Sequence, residues 1–508
     1  MITDSVAVAD RCSGAGEPTA LLPEDCAQAL QGLAQRLHRS VCCAQEDLGH
    51  LEESLLHGGH EVLRQMLEKA AQQKADAAPP LCPHCQHRLS NRSGGHLTTI
   101  QTRFGPIRIA RVRGYCRRCG KWRFPADGVL GLPAEGTQSP AVQEMAALTV
   151  SKMPATEAAP LVERLAGVKL SVATLARQAR QQGERAQQKR DALDEQMSRP
   201  EGRAQQDHDL QMHLPLEPFT LVLELDAWNI RERDAWGQSA AVRARGEEPP
   251  RWHWVYGGTC FRLSQRGQTA GGRATILSRG YVMTRDGIEG LREQLWAEAS
   301  RHGLGRASEV LIVADGAVWI WNLAGDRFPG ARQRVDFYHV SEHLWTVAHS
   351  LHPDDAAAAR AWVEPLLAKL KADQSCAVIT ELEQLHARLQ ASTPAPVPSR
   401  DSARAPQPRA PEAPPAAEKL AATLKREINY LHTHRDRLDY GTARARGEPL
   451  GSGAMESTCR QYQCRFKRPG QFWSRSGDEA LLCLETFWRN GRWQLLFPHA
   501  QPPDPSKN

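Results

Sequence analysis

The sequence predicts a multidomain α/β protein, and three observations carry that expectation. Strand and helix signals alternate through 219–350, helical periodicity dominates the stretches on either side, and a short β-rich segment nearer the amino end carries two CxxC pairs. A chain of 508 residues is too long for one core and suggests roughly three or four domains. The segments expected are an amino-terminal helical stretch at 1–76, a cysteine ribbon at 77–130 and a helical domain at 131–210. A mixed-sheet core follows at 211–350, then a helical insertion at 351–440, and the core resumes with a tail at 441–508.

An apolar fraction of 41% is ordinary for a folding chain. The longest apolar runs, EVLIVADG and LVLELDAW, fall far short of the roughly 20 residues a membrane helix needs. MITDSVAVADRCSG lacks a basic stretch followed by an apolar block, so no secretion signal is expected and the cytoplasm is the default location. The net charge of +6 says little, but its distribution says more: from Cys82 to Arg123 there are ten Lys or Arg and no Asp or Glu. The chain is basic again at Arg460, Arg465, Lys467, Arg468 and Arg475. Such local excess suits a phosphate backbone, although plain soluble proteins also carry basic faces.

Residues 24–76 read as helices; in GHEVLRQMLEKAAQQK, Val62, Leu63, Met66, Leu67 and Ala70 recur at helical spacing. Of the thirteen cysteines, singles such as Cys260, Cys376 and Cys483 read as small buried apolar residues. Cys82-Pro-His-Cys85 and Cys116-Arg-Arg-Cys119 are different, because each sets two thiolates on a tight turn. The β-rich runs between them flank Gly105-Pro106, a hairpin signal that brings the turns together around one tetrahedral ion. A structural Zn2+ is expected there, and a closed site of that kind has no open position for catalysis; the alternative is a redox pair or unrelated turns, with His84, His87 or His96 as substitute ligands.

A helical block spans about 139–197. Within it LVERLAGVKLSVATLARQARQQG shows a helix, a break at Gly167 and Ser171 as N-cap of a second helix. Such a pair can lay its second helix in a major groove and offer Thr174, Arg177, Gln178 and Arg180, or it can be an ordinary helical hairpin.

Strand signals at 219–232, 253–264 and 273–284 precede a helix at 287–302. A strand at 309–314, a helix, a short strand at 332–336 and another helix complete the order. That β-β-β-α-β-α-β-α sequence is the ribonuclease H-like arrangement, in which the first and fourth strands are neighbours. FTLVLELDAW reads as a buried strand ending in Asp226, EVLIVADGAVW as another ending in Asp315, and GSGAMES puts Glu456 near a helix start after a Gly-rich turn. Carboxylates so placed can share hard divalent cations, and two ions about 3.5–4 Å apart would stabilise the attacking and leaving oxygens of phosphodiester chemistry. Taken singly, each Asp is also an ordinary strand-end turn or helix cap. Helices are expected at about 354–390 and 417–434, separated by a linker at 391–416 with eight prolines.

VADGAVWIWNLAGDRFPGARQRVDFYHVSEHLW and ARGEPLGSGAMESTCRQYQCRFKRPGQFW resemble the ISKra family of bacterial insertion-sequence transposases, and with the CPHC and CRRC pairs the resemblance runs from about Glu24 to Phe497. It implies a DDE-type enzyme with Asp226, Asp315 and Glu456 as catalytic carboxylates holding Mg2+ or Mn2+. Asp336 and His339 of DFYH would take supporting roles. Implied partners are double-stranded DNA, as terminal inverted repeats and as target, and a second copy of the chain on that DNA. Arg177, Arg180, Arg460, Arg465, Lys467 and Arg468 are the DNA-contacting candidates. Many such enzymes place Lys or Arg seven residues beyond the Glu, where this chain has Gln463. Glu224 and Asp234 flank Asp226 and compete with it for the first position. Trp319, Trp321, Trp473 and Trp488 can stack on unpaired bases or simply fill the core.

Two rival readings stand beside this one. HVSEH, residues 339–343, matches the HxxEH pattern of zinc peptidases, although no third ligand follows it on a helix. The other is an inactivated transposase that keeps only its zinc ribbon and DNA-reading helices.

Overall fold

The computed structural model describes residues 24–42, 47–132, 136–210, 217–233, 239–246, 252–272, 274–392 and 416–500. The amino-terminal MITDSVAVADRCSG, Asp234 and residues 393–415 of the proline-rich stretch lie outside the described residues. The protein is mixed α/β, and its chain divides into two units, Met1–Gln182 with Phe497–Asn508, and Gly183–Leu496. Among the described residues, no helix is long and apolar enough to cross a membrane.

In the first unit, α1 (Glu24–Val41) and α2 (Leu48–Asp76) pack together, and the Asp47 side chain caps α2 by accepting from the His50 amide. A three-stranded antiparallel sheet follows: β1 (Ser90–Thr102), β2 (Gly105–Cys116) and β3 (Lys121–Arg123). The expected hairpin turn forms, with Gly105 at φ +110° and Thr102 paired to it. β3 pairs only with Gly114–Cys116, which leaves the earlier part of β2 at an edge. Polar side chains of α2 cover it. Gln72 donates to the Ala110 carbonyl at 3.0 Å and accepts from its amide at 2.8 Å, and Glu68 accepts from the Arg108 amide. Satisfying those edge groups from a helix removes a template for unwanted strand pairing. The apolar centre here is small: Ala71, Ile100, Ile107, Ile109 and Leu132.

Helices α3 (Pro125–Val129), α4 (Pro140–Lys152) and α5 (Ala155–Ala166) follow, then α6 (Val172–Ser198), whose residues from Gly183 on belong to the second unit. Gly167 ends α5 at φ +65°, and Ser171 caps α6 by accepting from the Thr174 amide at 3.1 Å, as the sequence predicts. One expectation fails here. Gln178 is buried and donates to Gln138 at 2.9 Å, and Gln182 does the same to Gln143. Gln178 shares the inward stripe of Leu175, Ala179 and Gln182, so it is not presented to a groove; Arg177 and Arg180 are on the exposed side.

The second unit contains α7 (Pro200–Leu210), β4 (Thr220–Arg231), α8 (Ser239–Ala244), β5 (Trp252–Arg262), a small hairpin of β6 (Arg266–Gln268) and β7 (Ala274–Ile276), and β8 (Gly280–Thr284). Next are α9 (Gly287–Arg301), β9 (Glu309–Ala314), α10 (Val318–Arg327), β10 (Arg332–Val335) and α11 (Phe337–Leu351). The strand expected at 273–284 is therefore two strands: β7 pairs with β6, and only β8 joins the main sheet. That sheet has the order β10-β9-β4-β5-β8, parallel from β10 to β4 and antiparallel beyond. Alternation along β4 sends Leu221, Leu223 and Leu225 to one face, where residues of α9, α10 and α11 join them. On the opposite face Val222 meets Phe261, Leu311, Val313 and Ala454.

The remaining helices are α12 (Ala356–Leu370), α13 (Ser375–Ser392), α14 (Ala416–His434), α15 (Tyr440–Ala445), α16 (Gly453–Phe466), α17 (Arg475–Arg489) and α18 (Trp493–Leu496). The helices expected at 354–390 are α12 and α13, separated by a turn in which Asp373 takes φ +59°; its carboxylate accepts from the Gly441 and Thr442 amides. The helical stretch does not fold apart from the sheet. Val363, Leu370, Val378, Leu424 and Leu431 belong to the same apolar cluster as Leu223 and Leu225.

Candidate metal and carboxylate sites

The four ribbon cysteines converge. All their sulfurs lie within 4.8 Å of one another, with Cys82–Cys119 at 3.9 Å, Cys85–Cys116 at 3.5 Å and Cys85–Cys119 at 3.4 Å. Cys82 and Cys116 are fully buried beside Leu89. A tetrahedron with metal–sulfur bonds of about 2.3 Å has edges of about 3.8 Å, so this set could hold a metal ion. Of the substitute ligands, His84 Nδ1 lies 3.8 Å from the Cys119 sulfur, while His96 bonds Ser93 and packs on Phe124.

In the second unit, parallel pairing sets Leu225 beside Ala314, so Asp226 and Asp315 follow side by side where that pairing stops. β4 itself does not end at Asp226. It continues to Arg231, because β5 remains an antiparallel partner as far as Trp252. Asp226 lies on the same face of β4 as Val222 and Glu224, the face α16 covers. Gly257 is its register partner on β5, and the bare backbone there leaves room for the Met455 side chain. Burial pushes the Asp226 carboxyl above its ordinary pKa; the Ala227 amide and the Cys459 thiol pull it back, and the Asp315 charge raises it further. Asp315 accepts from the Ala317 amide at 3.0 Å. Glu456 is in the first turn of α16, near enough to raise the Cys459 thiol through its charge, and Arg460 reaches it at 3.4 Å.

Asp226 faces the helix that carries Glu456, and Asp315 follows β9 at the same level, but the three carboxylates are not closed up. Among the described residues, only the four cysteines bring three or more such ligand atoms within 4.8 Å of one another.

Asp336 is fully buried and both its oxygens are in use. Oδ1 accepts from the Tyr338 and His339 amides, capping α11, and Oδ2 accepts from the Ser452 amide at 2.5 Å and its hydroxyl at 2.8 Å. DFYH is thereby stitched to the turn before α16. Gly451 fits this closeness, since a Cβ there would sit 2.9 Å from Oδ2. His339 is half-exposed and acts electrostatically on Asp226.

Glu224, the competitor for the first position, has a different task. It is fully buried, and its Oε2 accepts from the Met455 amide at 2.8 Å, anchoring the start of α16 to β4. Burial pushes its carboxyl up to about 8. A carboxyl raised from 4.5 to about 8 adds stability that is fully present below 4.5 and lost as pH rises through about 8. Glu224→Gln keeps an acceptor for Met455 without the titration. Urea midpoints of the variant should fall less than those of the unmodified protein across that window; parallel curves would rule the idea out.

The basic candidates divide. Arg460 and Lys467 are exposed and Arg468 is half-buried, but Arg465 is 7% exposed, with its guanidinium 5.0 Å from the Trp473 ring and 5.7 Å from Phe466. Arg465 is packing, not a surface contact. The four tryptophans follow the core-filling alternative. Trp321 and Trp473 are buried, Trp473 donating to the Phe466 carbonyl; Trp319 packs on Tyr256 and Trp488 on Trp493. Among the described residues the exposed tryptophans are Trp122 on β3, at 46%, and Trp252 and Trp254 on β5, at 56% and 54%, which residue type alone did not single out. The HxxEH histidines do not assemble a metal site either: His343 Nδ1 is 2.5 Å from Glu427 on α14.

No protein-family model matches the chain. A stretch of 85 residues is 34% identical to the "UPF0236 protein in vanSb 3'region" of Streptococcus gallolyticus. The match covers 17% of this chain and 18% of that protein, less than a fifth of either.

Proposed function

We propose that this chain is a DNA transposase of the DDE type, cutting and rejoining DNA with Asp226, Asp315 and Glu456. The observation that carries the reading is the sheet order β10-β9-β4-β5-β8 with Asp226 and Asp315 side by side where the parallel pairing of β4 and β9 stops. We read that order as ribonuclease H-like, and Glu456 comes from α16, the helix packed on β4. Asp226, Asp315 and Glu456 offer only oxygen donors, which suits Mg2+ or Mn2+; Asp226 is raised chiefly by burial and further by the charge of Asp315, a repulsion that a cation would relieve. When bound, the metal supplies charge stabilisation to the attacking and leaving oxygens.

The chain's own residues do the rest. Asp336 holds the turn before α16 against the start of α11, so the Glu456 helix is fixed relative to the strand that carries Asp315. Glu224 fixes the same helix start to β4 from the other side. Arg460, one turn from Glu456 on α16, and Lys467, just beyond the far end of that helix, are exposed and can meet the backbone of a cleaved strand. In the reaction, water attacks a phosphodiester at the element's end and the bridging P–O3′ bond breaks. The freed 3′ hydroxyl then attacks target DNA and displaces a 3′ oxygen there. Paired ends need two such centres, hence a dimer on DNA. The four cysteines would hold a structural zinc, and the basic ribbon around them would contact the duplex, as would Arg177 and Arg180.

The test is incubation of the purified chain with Mg2+ and a DNA fragment carrying the inverted repeats that flank its own gene. Nicks at the repeat ends support the reading. Specific binding without nicking under Mg2+ or Mn2+ would assign the chain instead to a DNA-binding role, and neither binding nor nicking would sink both.

A further inference from the structure

HVSEH finds a use that the carboxylate chemistry does not absorb. Helix α14 comes from the helical stretch between the second and third carboxylates and converges on the loop after β9. Its Tyr430 hydroxyl donates to the Asp315 carbonyl at 3.0 Å. The phenol ring stacks on the His343 imidazole with centroids 3.7 Å apart and planes 23° apart. His343 is itself held at 2.5 Å by the buried carboxylate of Glu427. The next residue, Gly316, has φ +99°, and a Cβ on it would lie 2.8 Å from the Tyr430 oxygen and 3.2 Å from His434 Nε2. The loop backbone is therefore closely approached from α14, with no room for a side chain between them.

We propose that Tyr430, braced by the His343–Glu427 pair, is a positioning residue that presets the Asp315 loop for a divalent cation. This rests on the carboxylate reading above and deepens it: the helical stretch supplies part of the active-site frame. A carbonyl fixed by the phenol O–H restrains the backbone of Asp315, and with it the direction in which the carboxylate leaves the strand.

The experiment is Mn2+ binding to the full-length, zinc-loaded chain, read from the paramagnetic resonance signal of free Mn2+, with thermal unfolding in parallel. Asp315→Asn should remove a saturable site. Tyr430→Phe keeps the ring on His343 and loses only the O–H; it should bind Mn2+ about fivefold more weakly, equivalent to about 1 kcal/mol, with an unchanged unfolding midpoint. His343→Ala, which takes the brace from under the ring, should shift binding in the same direction. Mn2+ affinity in Tyr430→Phe equal to that of the unmodified protein overturns the proposal. So does weaker binding matched by a lowered midpoint while His343→Ala binds normally, since that pattern is a plain stability effect. An unmodified protein with no Asp315-dependent Mn2+ site would overturn the carboxylate reading itself, a result visible before any Tyr430 variant is compared.

Discussion

Asp315→Ala and Glu456→Ala should each abolish metal-dependent nicking at the element's ends while leaving end binding intact. The expected loss is about a thousandfold or more, because removing about 4 kcal/mol of charge stabilisation at a reacting phosphate costs roughly three powers of ten in rate. Folding should survive both changes. Asp315 and Glu456 are only partly buried, and their hydrogen bonds are to a neighbouring loop amide and to an exposed arginine one turn away. Asp336→Ala would make a poor control, since it strips the cap of α11 and the anchor of Ser452 together. Arg460→Ala is a better one: it should weaken binding without touching the metal dependence of whatever cleavage remains. Nicking that persists at a tenth of the original rate in Asp315→Ala would remove this residue from the chemistry.

Much of the second unit was legible because its signals are local. β4 and β9 are apolar runs, each bearing an acidic residue at the level where their parallel pairing stops, and the order of strand and helix signals fixes which strands can be neighbours. The two misplaced contact residues share one cause: residue type was read ahead of helical phase. Arg465 falls on the stripe of Met455, Cys459, Tyr462 and Phe466, and Gln178 on that of Leu175, Ala179 and Gln182, so both are carried inward whatever their polarity. Glu224 was within reach of the same logic, since period two puts it on the Asp226 face of β4. Other features leave no trace in residue type. The Tyr430 hydroxyl meets a backbone carbonyl 115 positions away, and Glu224 meets an amide 231 positions away. Any residue could supply those backbone partners, so no motif marks them.

Zinc removal should produce the second large effect, and it should be confined to the ribbon. The sheet of the first unit closes around few apolar side chains, and at its far end the buried groups are Cys82, Leu89 and Cys116 with Cys85 and Cys119 packed on them. Four thiols turned toward one another offer little packing energy of their own. The binding free energy of a structural zinc, about 10–16 kcal/mol in small modules at neutral pH, would then be what closes the turns. One zinc per chain is expected by metal analysis, released only by a strong chelator. On release, Trp122 should report first: it pairs with Tyr115 across β2 and β3, next to Cys116, with the Arg113 guanidinium 4.7 Å from its ring. Its fluorescence should shift, and trypsin should cut among Arg111, Arg113, Arg117 and Arg118, while cleavage within 183–496 stays at the rate seen before zinc release. Cys116→Ser should mimic the chelator. A ribbon that resists trypsin equally well without zinc would mean that the α2 side chains along β2 suffice to hold it, and the cysteine cluster would lose its structural role.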